Sequence, residues 1–144
     1  MTRGLSPAPY SKFGVHKIDD AALDQAEWSL PLPFNDDTMI RGYNAINQPN
    51  CQVVIEDFRP GDEFAWTFVH DEMQYCTQGE IELEVFLPPL YAESVKAHVT
   101  PGTILTFPIG ARMHVKVLGD KPFRHICFCT PSPDYPFPSL DDLK

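Results

Sequence analysis

Three ionisable residues, His70, Asp71 and Glu72, follow one another between two apolar segments. Aromatic residues precede them, and a strict alternation of apolar and acidic positions follows over residues 80–85. A carboxyl group in an aromatic-lined pocket is desolvated, which favours its protonated form and suits proton transfer. Glu72 is therefore the first candidate for a catalytic acid or base and His70 is its helper. A solvated turn between two strands is the alternative.

The elements that would position these residues are short β-strands. Apolar residues recur with period two from residue 51 onward, and proline or glycine interrupts the pattern every 8 to 12 residues. Such spacing indicates an all-β barrel or sandwich. One helix is predicted, over residues 18–30, with Asp19 or Asp20 as its N-cap and Pro31 at its end.

The chain of 144 residues is long enough for one domain with a single core. We divide it into an N-terminal arm with a short helix packing on the barrel (1–49), the barrel itself (50–130) and a proline-rich tail (131–144). The tail carries apolar side chains, so we expect it to lie extended across a surface and to support a homodimer.

Composition excludes several classes of partner. A net charge of −9 argues against nucleic acid and anionic membrane surfaces. No apolar run approaches the roughly 20 residues of a membrane span, and none follows Arg3 as a secretory signal would require. The four cysteines lie in or beside strand-like segments, which predicts reduced, buried thiols in a cytoplasmic protein. One residue separates Cys127 from Cys129, whereas two to four residues separate the cysteines of a zinc knuckle, so this pair is a weak metal signal.

Strand parity predicts which side chains share the interior. Gln74 lies on the same face as Glu72, and Met113 points inward unless a bulge replaces it with His114. His125 shares one face of the last strand with two cysteines and joins the pocket if that face looks inward.

Two glycine-framed motifs resemble those of the cupin superfamily. Ten residues separate Gly61 from Glu72 and six separate Glu72 from Gly79, as in the first motif. A Gly-x5-Pro-x-Gly pattern over residues 102–110 is similar to the second. The resemblance implies a cupin double-sheet (jelly-roll) β-barrel with a short N-terminal helix. Cupin barrels often hold a metal, bound by two histidines and a glutamate of the first motif and a histidine of the second.

This sequence departs from that ligand set. Trp66 and Phe68 occupy the positions of the two first-motif histidines, and Met113 occupies that of the second-motif histidine. The Phe-x-Trp-Thr-apolar-x-His-Asp-Glu pattern over residues 64–72 resembles the ethanolamine-utilisation Q-type cupins, which also lack the metal histidines. A more distant similarity to ectoine synthase covers Tyr-Cys-x-x-Gly-Glu at 75–80 and Pro-Gly-Thr at 101–103. The second-motif histidine of that enzyme aligns with Met113 here, and its neighbouring tyrosine aligns with Leu105. Its iron-dependent cyclising hydro-lyase reaction is therefore not carried across.

Three functions remain open. The first is a small-molecule enzyme of lyase, dehydratase or isomerase type. Its catalytic residues would be Glu72, His70 and His114, and its substrate would contact Trp66, Phe68, Gln74, Met113 and His125. The second is an oxygenase or lyase with iron, zinc or manganese on Glu72, His114 and His70, although the missing motif histidines favour a protein without metal. The third is an accessory protein that binds a metabolite without converting it.

Overall fold

The computed structural model describes residues 8–33, 35 and 37–144. Within them the chain forms two short helices and ten strands, with one helix near each end. The helices are α1 (Asp20–Asp24) and α2 (Leu140–Leu143). The strands are β1 (Leu30–Pro31), β2 (Met39–Gln48), β3 (Cys51–Phe58), β4 (Glu63–Thr67), β5 (Asp71–Gln78), β6 (Glu80–Phe86), β7 (Ser94–Val99), β8 (Ile104–Phe107), β9 (Arg112–Leu118) and β10 (Phe123–Thr130).

The strands form two antiparallel sheets. One has six strands in the order β1-β2-β3-β10-β5-β8, and the other has four in the order β4-β9-β6-β7. The apolar faces of both sheets supply one core cluster that runs from Leu30 to Phe137. The predicted all-β, double-sheet fold with a short N-terminal helix is confirmed.

The N-terminal helix is shorter than the predicted span of 18–30. Asp19 caps it by accepting a hydrogen bond from the Ala22 N–H at 3.0 Å, and Leu23 is fully buried beneath it. The backbone carbonyls near its end do not accept the N–H groups of a further helical turn. Instead, those of Asp24 and Ala26 accept hydrogen bonds from the Arg41 guanidinium at 3.2 and 3.3 Å.

The barrel begins earlier than residue 50. Strand β2 pairs along its length with β3 and belongs to the six-stranded sheet. Its sequence carries no period-two pattern because residues 40–44 are all buried, and Arg41 and Asn44 among them are polar. Residues 1–7 of the predicted loose arm (1–10) lie outside the described part of the chain.

The tail packs across β2 rather than beside the barrel. The Asn44 N–H donates to the Pro138 carbonyl at 2.8 Å, and Gln52 bonds the backbone of Tyr135 through both of its amide atoms. A Cβ atom at Gly42 would lie 2.8 Å from the Ile55 carbonyl oxygen on β3 and 2.9 Å from the Phe137 ring, so glycine is needed both for the strand pairing and for the crossing of the tail. The tail ends in α2, which the sequence did not predict.

A buried ionic network lies between α1 and the six-stranded sheet. Asp57, fully buried, accepts hydrogen bonds from Arg41 on β2 and from Arg124 on β10. Arg124 also pairs with Asp20 and Asp24 of α1 at 3.2 and 2.7 Å. The network ties the N-terminal segment to three strands.

No helix in the described residues is long and apolar enough to cross a bilayer.

Candidate functional site

The barrel contains a cavity of about 450 Å³. Segments from both sheets line it, together with Leu30–Pro33 after α1 and residues 135–137 of the tail. Most of its wall is apolar or aromatic, and its only charged lining residues among those described are Glu56 and Glu72. A mostly apolar cavity with a few polar groups is the usual form of a small-molecule site.

Glu72 projects into this cavity from β5. Strand alternation turns Glu72, Gln74 and Cys76 inward and leaves Met73 and Tyr75 half-exposed on the outer face, as predicted. The carboxylate is 7% exposed. The inward direction follows from the pairing of β5 with β10 and β8, which places Glu72 beside Cys129 and Phe107.

Three donors converge on the Glu72 carboxylate. His70 Nε2 lies 2.8 Å from Oε1, the Cys129 thiol donates to Oε1 at 3.3 Å, and the Gln74 amide donates to Oε2. Burial, with Glu72 as the next contribution, raises the pKa of the Cys129 thiol far above its ordinary value. The thiol therefore stays protonated and acts as a donor.

Tyr135 extends the chain of hydrogen bonds by one step. Its hydroxyl lies 3.3 Å from His70 Nδ1, and burial raises the pKa of this hydroxyl well above 10.0. Because an ionised carboxylate can only accept, His70 Nε2 carries the proton directed at Glu72, and in the neutral imidazole Nδ1 is then the acceptor for the Tyr135 hydroxyl. The order Tyr135, His70, Glu72 is therefore a directional chain that ends at the carboxylate.

The aromatic wall occupies the positions where cupins carry histidine ligands. Trp66, Phe68 and Met113 all line the cavity. Trp66 meets the Tyr135 ring edge-on with centroids 6.0 Å apart, and Phe68 stacks on Phe107 at 4.3 Å. The structure thus brings these three predicted substrate contacts and Gln74 together with Glu72; their roles stay predictions.

The structure does not place His114 in the cavity, where the sequence analysis allowed it to lie. Strand β9 has no bulge at this point, so Met113 faces inward and His114 faces solvent. Its Nε2 lies 3.0 Å from Glu63 Oε1 in a pair whose side chains are 47% and 54% exposed. His114 therefore does not meet Glu72 or His70, and the predicted three-residue metal set is not assembled.

His125 is fully buried but does not line the cavity directly. Its Nε2 lies 2.9 Å from Glu56 Oε1, and the Cys127 thiol donates to the same oxygen at 3.3 Å. Glu56 and Cys127 do line the cavity. The predicted face of β10 with His125 and the two cysteines looks inward, and His125 reaches the cavity through Glu56.

The usual cupin metal site does not fit these residues. Indole and phenyl rings at Trp66 and Phe68 offer no ligand atom, so Glu72 is the single motif ligand. Two other groups hold three possible ligand atoms within 4.8 Å of one another: Glu56, His125 and Cys127, and His70, Glu72 and Cys129.

Sequence reasoning missed Glu56, Tyr135 and Phe137 as cavity residues. The signal for Glu56 was present, because it alternates with Val54 and Phe58 on what proves to be the inward face of β3. The tail aromatics carried no periodic signal, since they reach the cavity from an irregular segment that crosses β2.

Comparisons with known proteins agree with this architecture. No protein-family model matches the sequence, and no curated protein matches it. Among solved structures, KdgF from a Halomonas species aligns with a TM-score of 0.57 at 21% identity, covering 77% of this chain and 93% of that one. The Clostridium difficile EutQ protein aligns at 0.52 and 17%, covering 69% and 67%. The cupin domain of Schizosaccharomyces pombe Cnp3 aligns at 0.53 and 17%, covering 63% and 61%. The chain therefore has the fold of the cupin superfamily, as its two glycine-framed motifs predicted.

Proposed function

We propose that this cupin is a small-molecule enzyme of lyase, dehydratase or isomerase type in which Glu72 transfers the proton. The observation that carries the proposal is the placement of one carboxylate on a cavity wall with His70, Gln74 and Cys129 all directed at it. Structural acids are usually satisfied by the backbone at a turn. Glu72 is instead held by three side chains and faces the space that a substrate would fill.

The hydrogen-bond donors around Glu72 also suit a proton-transfer step. A carboxylate that accepts from fixed side chains is held in one orientation, which general acid–base catalysis requires. When Glu72 has taken a proton, the chain from Tyr135 through His70 stays in place to orient it for returning that proton. Removal and return of a proton on one substrate is the common element of elimination, dehydration and isomerisation.

The walls restrict the substrate. No described lysine or arginine lines the cavity, and Arg41 and Arg124 lie on the other face of the sheet, bound to Asp57. An anionic group would therefore find no ion-pair partner beside two glutamates. A neutral compact organic molecule, packed against Trp66 and Phe68, fits both the volume and the charge.

The test compares two glutamine variants after a substrate is found. Small neutral metabolites are first screened by ligand-induced melting shifts, and hits are assayed for conversion. Glu72→Gln keeps shape and hydrogen-bonding reach, so it should bind while turnover falls by about 10² or more. Glu82→Gln, on the exposed face of β6, is the matched control and should convert at the wild-type rate.

Two results would contradict the proposal. Normal turnover by Glu72→Gln would make the acid structural. Binding of a ligand by wild-type protein with no conversion would favour a metabolite-binding accessory protein instead.

A further inference from the structure

A second polar cluster lies in the same cavity wall and takes no part in the proposed proton transfer. It consists of Glu56 on β3 with His125 and Cys127 on β10, and we call it the Glu56 cluster. Antiparallel pairing sets Glu56 directly opposite His125, and Cys127 follows two residues later on the same face. His125 and Cys127 are 0% and 4% exposed.

The Glu56 cluster has fewer hydrogen-bond partners than the cluster around Glu72. In the latter, the second carboxylate oxygen accepts from Gln74 and the second ring nitrogen of His70 meets Tyr135. In the Glu56 cluster, His125 Nδ1 is buried without any hydrogen-bond partner, alone among the buried side-chain nitrogen and oxygen atoms of the described residues.

The charge of the Glu56 cluster is also uncompensated by a permanent cation. No lysine or arginine in the described part of the chain forms an ion pair with Glu56; its partners are the imidazole and the thiol. The Glu56 side chain is 13% exposed, and a largely buried carboxylate without a permanent positive partner is costly in a mostly apolar wall. A bound cation would remove that cost.

We propose that Glu56, His125 and Cys127 bind a zinc ion. Ordinary zinc bond lengths at tetrahedral angles separate oxygen from nitrogen by about 3.4 Å and sulfur from oxygen by about 3.6 Å. The present separations are 2.9 Å between Glu56 Oε1 and His125 Nε2 and 3.3 Å between Cys127 Sγ and Glu56 Oε1. Loading therefore requires these two pairs of atoms to move apart by about 0.5 and 0.3 Å, while all three ligand atoms already lie within 4.8 Å of one another.

The ligand types select the metal. An imidazole with a thiolate favours zinc over magnesium, calcium or manganese, which prefer oxygen ligands. Two negative ligands, Glu56 and the Cys127 thiolate, neutralise the two charges of the ion. One proton leaves the Cys127 thiol on binding, because a thiolate is the form that binds the metal.

Three protein ligands leave a fourth position, which is the arrangement of catalytic rather than purely structural zinc sites. Glu56 and Cys127 both line the cavity, so that position faces the same space as Glu72. With its two charges neutralised by Glu56 and the Cys127 thiolate, a zinc ion there would offer Lewis-acid chemistry to a neutral oxygen atom in that space. The site nevertheless stands on its own geometry, and its failure would leave the Glu72 proposal in place.

The experiment titrates metal-free protein with cobalt(II), whose thiolate bond gives a near-ultraviolet charge-transfer band, and then displaces the cobalt with zinc. Wild-type protein should bind one ion per chain with this band. Cys127→Ser should abolish the band and weaken zinc binding by about 10² or more, since each of a few ligands carries a large share of the binding free energy. Glu56→Gln should also weaken binding.

Cys129→Ser is the matched control, because it removes the neighbouring thiol on the same strand face and keeps the Glu56 cluster whole. It should bind zinc as wild type does. Melting curves of each metal-free variant check that the fold survives. The proposal is overturned if wild-type protein does not bind zinc below millimolar concentration. It is also overturned if Cys129→Ser loses the band while Cys127→Ser retains it, which would place the ion at Glu72.

Discussion

Asp57→Ala should destabilise this protein more than any exposed-charge substitution, because Asp57 holds two buried arginines. Its carboxylate accepts Arg41 Nε at 2.7 Å, Arg124 Nε at 2.7 Å and Arg124 Nη2 at 2.8 Å. The two arginines are 8% and 3% exposed. Removing one partner of a buried pair leaves an uncompensated charge and costs about 3–5 kcal/mol.

Other contacts hold the expected loss near the lower end of that range. Arg124 keeps Asp20 and Asp24, and Arg41 keeps two backbone carbonyls and the face of Trp28, whose ring centroid lies 4.2 Å from the guanidinium carbon. We therefore expect a loss of about 3 kcal/mol. For a chain of this length that corresponds to a decrease in melting temperature on the order of 10 °C.

The assay is urea unfolding at neutral pH together with thermal melting. Asp62→Ala is the matched control, since Asp62 pairs with Arg59 at 3.5 Å where both side chains are partly exposed. It should cost no more than about 1 kcal/mol. A loss below 1 kcal/mol for Asp57→Ala, or equal losses for the two variants, would refute the reasoning. Asp57→Ala should also disturb the cavity wall, because the network anchors the segment that supplies Leu30–Pro33 to that wall.

Further predictions concern the site, the pH dependence and the assembly. His114→Ala should leave turnover within about twofold of wild type, whereas Tyr135→Phe should lower it about tenfold with little change in melting temperature; the reverse order would contradict the hydrogen-bond chain. Burial raises the pKa of the Cys76 thiol from 9.0 to about 11, so the unfolded thiol ionises first as the pH rises. The contribution of Cys76 to the free energy of unfolding should be constant below pH 9 and fall by about 1 kcal/mol at pH 10, and Cys76→Ala should remove that share of the total decrease. The homodimer remains a prediction, and the half-exposed Met73 and Tyr75 on the outer face of β5 offer an apolar surface for it. Sedimentation of Tyr75→Glu should then show monomers, and a wild-type protein that is monomeric at micromolar concentration would exclude the dimer.

The fold was predictable because its signals are local. Strand alternation around Glu72 and glycines in turns are properties of short segments, and Gly79 shows why the motif needs this residue: its φ is +81°, and a Cβ there would lie 2.6 Å from the Pro122 carbonyl oxygen. The inward direction of Glu72 and Gln74 follows from the same alternation.

The rest of the site depends on packing between distant segments. Tyr135 reaches His70 from a tail 65 residues away, and nothing local to either residue signals the contact. Glu56 lies opposite His125 through a strand pairing that joins residues 69 apart. The position of His114 was decided by the regular register of β9, which sequence alone leaves free to slip by one residue.

The most direct test of the central claim is solvent proton exchange into a bound substrate. Wild-type protein in D₂O should place deuterium at the carbon from which Glu72 removes the proton, measurable by NMR or mass spectrometry even without net conversion. Glu72→Gln should bind the same compound and incorporate deuterium at least about 10²-fold more slowly. Equal incorporation by the two proteins would show that another group transfers the proton.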